Sequence, residues 1–239
     1  MKTRRLAETD LARIAVLPIS DQWILLRKHK FGRPPHTYDP VRRAQPDILN
    51  RQIPLFGKAE PTPWQKVCEI VQKHSRHIAE YEHNLSVAKA LYDFAQHEQI
   101  YSRDRLMPNW AIGFGQTVRF WPDYISIVGE QPEVSFHDYR LTKRLNKEAR
   151  RFAFSVMHER TRALDPDLQN VALAIYQFRK LDDGTRILQR RTDDGLELFS
   201  FDQLNEMIST TYRIWEQVLV EREEDNRRAA NSNSNPMGF

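Results

Sequence analysis

A chain of 239 residues is well above the size at which a single hydrophobic core becomes hard to assemble, and 12 Phe, 5 Trp and 8 Tyr within a 40% hydrophobic composition exclude wholesale disorder. A net charge of +4, from 36 basic and 32 acidic residues mixed through the chain, permits nucleic-acid contact but is not by itself a nucleic-acid-binding footprint. A single cysteine, Cys68, excludes an internal disulfide framework, and no run approaches the roughly 20 apolar residues of a membrane span, so the expected setting is the reducing cytoplasm.

The basic start, Met1 to Leu6, meets Glu8 and Asp10 before any apolar run of signal-peptide length, and secretion is not expected. The pattern predicts a short helix over 7–16 and, beyond a break at Pro18, a short buried strand over 23–26, together an N-terminal element of residues 1–30. Residues 31–63 differ in kind, with Pro34, Pro35, Pro40, Pro46, Pro54, Pro61 and Pro63 alongside Gly32 and Gly57. That density predicts neither a regular helix nor a central strand, and irregular segments of this length usually carry function.

From residue 64 the pattern turns helical, with Trp64, Val67, Val71, Ile78, Leu85, Ala88, Leu91 and Ala95 at helical spacings up to about Gln99. Thr62 is the expected cap with Pro63 at the first helical position, and Asn84 the expected break. Strands follow at 117–121, 124–128 and 134–137, the last two joined by a turn at 129–132. A basic helix is predicted over 142–164, strands at 171–178 and 186–191 across the Asp182-Asp183-Gly184 turn, and a final helix over 202–221 capped by Ser200 or Asp202. The expected fold is therefore α+β, a small mixed sheet flanked by helices, with a main domain at 64–221 and a disordered tail at 222–239.

The segment Gln52-Ile53-Pro54-Leu55-Phe56 has the parts of a docking peptide. Gln52 offers an amide that both donates and accepts, Leu55 and Phe56 are adjoining apolar plugs, Pro54 restrains the backbone, and Gly57 lets the chain turn away. Gln-x-x-Leu-Phe arises by chance in about one chain in 25 to 30 of this length. Its placement in the least regular stretch of the chain strengthens the functional reading. The competing reading has Leu55 and Phe56 plugging the protein's own core.

The five residues resemble the clamp-binding motif of bacterial replication and repair proteins. Together with the block Trp121-Pro122-Asp123-Tyr124 through His137-Asp138-Tyr139-Arg140 and on to Thr211-Tyr212-Arg213-Ile214-Trp215, they make the chain resemble the SocB replication-inhibitor toxins of type VI toxin–antitoxin systems. That resemblance implies a protein that binds the β sliding clamp and blocks replication elongation. It also implies a SocA-like antitoxin that acts as a proteolytic adaptor and delivers the toxin to the ClpXP protease. The clamp-binding residues it implies are Gln52, Ile53, Pro54, Leu55 and Phe56, with no catalytic residue, metal or cofactor.

An enzymatic alternative is a clamp-recruited nuclease. Asp123, a strand, a turn, a second strand ending at Asp138-Tyr139-Arg140, a helix and the strand at 171–178 follow the order of a restriction-endonuclease-like core. Such a site needs acidic ligands for a hard cation and a lysine. Arg140 stands at the lysine position, and a permanently charged planar guanidinium is a poor substitute. The expectation is therefore an inactive, degenerate core of that topology or an unrelated α+β domain in which Asp138 and Arg140 form a strand-end ion pair. His74 and His77 lie three apart on the predicted helix, but no cysteine pair or His-Glu-x-x-His accompanies them. The basic run Arg140 to Arg151 reads as a solvated helix face with scope for weak DNA contact.

Overall fold

The computed structural model describes residues 5–29, 37–51, 60–112 and 116–233. Its helices are α1 (Glu8–Ala15), α2 (Ile19–Lys28), α3 (Asp39–Ile48), α4 (Trp64–His74), α5 (Ile78–His97), α6 (Lys147–Arg160) and α7 (Phe201–Asn233). Its strands are β1 (Tyr101–Asp104), β2 (Trp110–Ala111), β3 (Thr117–Val118), β4 (Tyr124–Val128), β5 (Gln131–Asp138), β6 (Ala172–Lys180) and β7 (Arg186–Thr192). The expected α+β class holds.

The main sheet runs β1-β4-β5-β6-β7, antiparallel except for β5 and β6, which are parallel and joined through α6. β2 and β3 form a separate two-stranded ribbon. A parallel pair needs a crossover long enough to hold a helix, and its strands are covered on both faces. Accordingly β6 is buried from Ala172 to Phe178. Leu173 and Ile175 face a core shared with α1, α6 and α7, while Ala174, Tyr176 and Phe178 face a second core shared with α3, α4 and α5. The result is helices on both sides of a mixed sheet.

Four expectations are corrected. Residues 23–26 are helical, inside α2: the break at Pro18 separates α1 from α2, and Pro18 is the N-cap of the second helix, its carbonyl accepting from Asp21 N and Gln22 N at 3.0 Å. A short run such as Trp23-Ile24-Leu25-Leu26 carries no periodicity that separates strand from helix, and here only Leu26 and, one turn back, Gln22 are buried. The Pro-rich stretch contains the regular helix α3. Pro40 lies in its first turn, where a missing N–H is free, and Val41, Ala44 and Ile48 form a buried stripe strong enough to carry Pro46 in the interior.

The break between α4 and α5 falls at Ser75–His77 instead of Asn84, with Ser75 Oγ donating to Val71 O at 2.8 Å and His77 Nδ1 capping Glu80 N at 3.1 Å. Asn84 is buried mid-helix, where it donates to Thr37 O at 2.8 Å and accepts from Val41 N at 3.3 Å, tying α3 to α5. At the C-terminus, α7 continues to Asn233 where a disordered tail was expected from 222. Arg222 ties this continuation to α2 by donating to the carbonyls of Leu26, Arg27 and His29 at 3.1, 2.8 and 2.7 Å, and Glu223–Arg227 and Glu224–Arg228 pairs follow along the helix.

Smaller shifts are local. Pro63 is the N-cap of α4 with no side-chain cap, while Asn146 caps a shorter α6 through Ala149 N at 2.9 Å. Ser200 caps α7 through Gln203 N at 3.3 Å, and Gln203 Oε1 accepts in return from Ser200 N at 2.9 Å. Among the described residues no helix is long and apolar enough to cross a membrane.

Candidate functional site

The motif residues Gln52, Ile53, Pro54, Leu55 and Phe56 lie outside the described residues. Their flanks do not. α3 ends at Ile48, and Asn50 then takes a left-handed backbone with φ of 47°, which asparagine tolerates better than most residues. Arg51 forms a parallel bridge to Ser102 of β1, and its guanidinium pairs with Asp104. Ser102 is fully buried; its backbone N donates to Asn50 O at 3.2 Å and its hydroxyl donates to Leu49 O at 3.0 Å. The chain thus leaves α3 along the otherwise open edge of the sheet.

The return is held by the same asparagine. Asn50 Nδ2 donates to Ile100 O at 2.8 Å, and Asn50 Oδ1 accepts from Thr62 N at 3.4 Å. Tyr92 of α5 donates its hydroxyl to Thr62 O at 3.0 Å and packs against Trp64, ring centroids 5.2 Å apart. Both flanks of residues 52–59 are therefore fixed to the body of the protein and brought within hydrogen-bond distance of each other. Thr62, expected as a helix cap, serves this closure. A groove of about 1030 Å³ runs beside the flanks, lined in part by Glu60, Pro61, Glu98, Tyr101, Ile127 and Glu130. Sequence reasoning missed Asn50, Tyr92 and Ser102; an asparagine between a helix and a proline-rich segment was the available signal.

The residues of the enzymatic alternative are each engaged in structure. Asp138 is fully buried and its Oδ2 accepts from Leu145 N at 2.9 Å and Gln177 Nε2 at 3.0 Å. Arg140 makes a two-pronged pair with Asp10 of α1 at 2.7 and 3.1 Å, which draws the Asp10 carboxyl below its usual range against the opposing effect of burial. Asp123 pairs with Arg119 at 2.7 Å. Among the described residues no group of three or more His, Cys, Asp or Glu could hold a metal ion. His77 is occupied as a helix cap.

Between α3 and the sheet lies a buried polar cluster that sequence reasoning did not find. Tyr139 donates to Gln45 Oε1 at 3.1 Å, so the contact of its oxygen with His137 Nδ1 at 3.1 Å is donated by the imidazole. Nε2 is then the acceptor, with Ser135 Oγ at 3.0 Å as its donor. Burial, with a smaller push from the Arg42 charge, lowers the His137 pKa to about 3 and keeps the ring neutral. On the same sheet face Glu133, also buried, accepts from Tyr176 and from Arg190 Nε at 2.6 Å.

A family model described as the sliding clamp-binding bacterial toxin SocB matches residues 9–225. The chain belongs to the SocB family. The DNA replication inhibitor toxin SocB of Caulobacter vibrioides (strain NA1000 / CB15N) is 33% identical over 234 residues, covering 98% of each chain. No solved structure matches the chain.

Proposed function

We propose that this SocB-family chain is a toxin that stalls DNA replication by docking Gln52, Ile53, Pro54, Leu55 and Phe56 into the peptide pocket of the β sliding clamp. The observation that carries the reading is the coincidence of family and placement. The relative's name states replication inhibition, the family's states clamp binding, and the motif sits in a segment whose flanks are closed by Asn50, Thr62 and Tyr92. Pinned flanks reduce the entropy lost on docking and leave the docking chemistry to the segment itself.

Inhibition then needs no catalysis. Polymerase and repair factors share the pocket, and a bound toxin excludes them by mass action. Asp123, Asp138 and Arg140 act structurally in this reading, which is supported by their engagement with Arg119, Leu145 and Asp10. The family resemblance adds a SocA-like antitoxin and the ClpXP protease as the partners that remove the toxin.

Primer extension by a clamp-dependent polymerase tests the proposal. The chain should slow extension, added clamp should restore it, and the Q52A/F56A variant should be inert. Inhibition that persists in the double variant, or that added clamp does not relieve, would contradict the mechanism.

A further inference from the structure

On the α6 side of the sheet lies a pocket of about 410 Å³ whose charged residues are all basic: Lys143, Arg144, Arg150 and Arg191. They come from three places, the turn before α6, α6 itself and β7. Gln177 and Gln189, paired across β6 and β7, contribute to the lining. Among the described residues none of the four cations lies within 4.0 Å of a carboxylate.

The two inner guanidiniums are held by neutral acceptors. Arg144 Nη1 donates to Phe178 O at 3.0 Å, and Arg150 Nη1 donates to Leu145 O at 3.1 Å and Gln177 Oε1 at 3.3 Å. Their orientation is fixed while neither makes an ion pair among the described residues, which leaves two partly buried cations that an anion would complete. Asp138, whose charge is felt by Arg150, is not among the lining residues, and its Oδ2 accepts from Leu145 N and Gln177 Nε2. Burial, with the repulsion of Arg191 and Arg144 behind it, pulls the Arg150 pKa below its usual value against the opposing charge of Asp138. Lys143 takes a left-handed backbone with φ of 55°, and both Lys143 and Arg191 are exposed. The N-terminus of the 14-residue α6 adds its positive dipole end beside the same pocket.

We propose that this pocket binds backbone phosphates of duplex DNA, so that the protein holds the clamp through one face and the DNA through another. Oriented forks flanked by exposed cations suit phosphate oxygens, and an open rim spanning three elements suits a polymer better than a free ion. The inference extends the clamp-docking reading but stands on different residues. Two weak contacts on one assembly multiply their affinities when both can be made at once.

The test uses the full chain and a fluorescently labelled duplex, with binding followed by anisotropy across salt concentrations. Lys143→Ala/Arg191→Ala should bind at least about tenfold more weakly than wild type, with the slope of log K against log salt reduced by about 2. A charge-matched control, Lys66→Ala/Lys73→Ala on α4, which packs against the other face of the sheet, should behave like wild type. The pocket variant should keep its unfolding midpoint and its clamp affinity, and Q52A/F56A should keep its DNA affinity, so the two readings fail separately. Equal losses in the pocket variant and the control would overturn the proposal. So would an absence of DNA binding by wild type, including the case in which inorganic phosphate alone raises the melting temperature through Lys143 and Arg191.

Discussion

Asn50 makes the joining of the two flanks of residues 52–59 depend on one side chain, since it contacts both Ile100 O and Thr62 N from a left-handed backbone. Asn50→Ala should cost about 1–3 kcal/mol in denaturant unfolding, because it removes two hydrogen bonds and places alanine at positive φ. It should also weaken clamp binding by freeing the ends of the loop. An unchanged unfolding midpoint would show that the closure contributes nothing. His137 gives a pH signature. Its folded pKa, near 3, lies below the unfolded value, so the unfolded chain binds the extra proton and stability falls as pH drops below about 6.5. Between pH 7 and 5 this group alone should remove about 2 kcal/mol, and His137→Gln should abolish that share of the pH dependence. Equal pH dependence in the variant would contradict the buried neutral ring.

At the level of elements, Glu80 shows how a helix forms in a proline-rich stretch. Its buried carboxylate accepts from Thr37 N at 2.8 Å and Oγ1 at 3.0 Å and from Arg76, so the entry to α3 is fixed to α5 before Pro40 begins the first turn. The Arg76 guanidinium first, and then the backbone N–H groups of Arg76 and Thr37, hold its pKa far below the usual carboxylate range against the effect of burial, and the stability they supply is present above pH 4.5 and lost as pH falls below it. Glu80→Ala should therefore cost on the order of 3 kcal/mol at neutral pH, read from urea unfolding, and a loss near zero would refute the anchor. This support was invisible in the sequence. Counting prolines predicted an irregular segment, whereas the buried stripe of Val41, Ala44 and Ile48 and the distant Glu80 and Asn84 decided the outcome. Tertiary partners likewise decided the fate of 222–233, where Arg222 reaches the end of α2. What was legible followed from strong periodicity: the α4–α5 stripe, the β4–β5 hairpin, the apolar β6 and the apolar face of α7. β1 went unread because Tyr101-Ser102-Arg103-Asp104 is too short and polar to announce a strand, and it owes its order to pairing with β4. In the candidate site the five motif residues were proposed from chemistry and spacing and lie outside the described residues, while Asn50, Tyr92 and Ser102 could not be read, since their roles exist only once the chain has closed.

For the whole molecule, the mixed sheet has helices packed on both faces. It anchors the flanks of residues 52–59 at the β1 edge and carries a basic pocket at the β7 end. Purified protein incubated with DNA and Mg²⁺ or Mn²⁺ should leave the DNA intact. Cutting that disappears on Asp123→Ala would revive the nuclease reading. The central claim is the docking of Gln52 to Phe56, and the most direct measurement is the affinity of purified β clamp for the wild-type chain and for Gln52→Ala/Phe56→Ala at matched fold stability. The account predicts that the double substitution weakens binding about 100-fold, the equivalent of about 2.7 kcal/mol. Equal affinity of the two proteins for the clamp would contradict it.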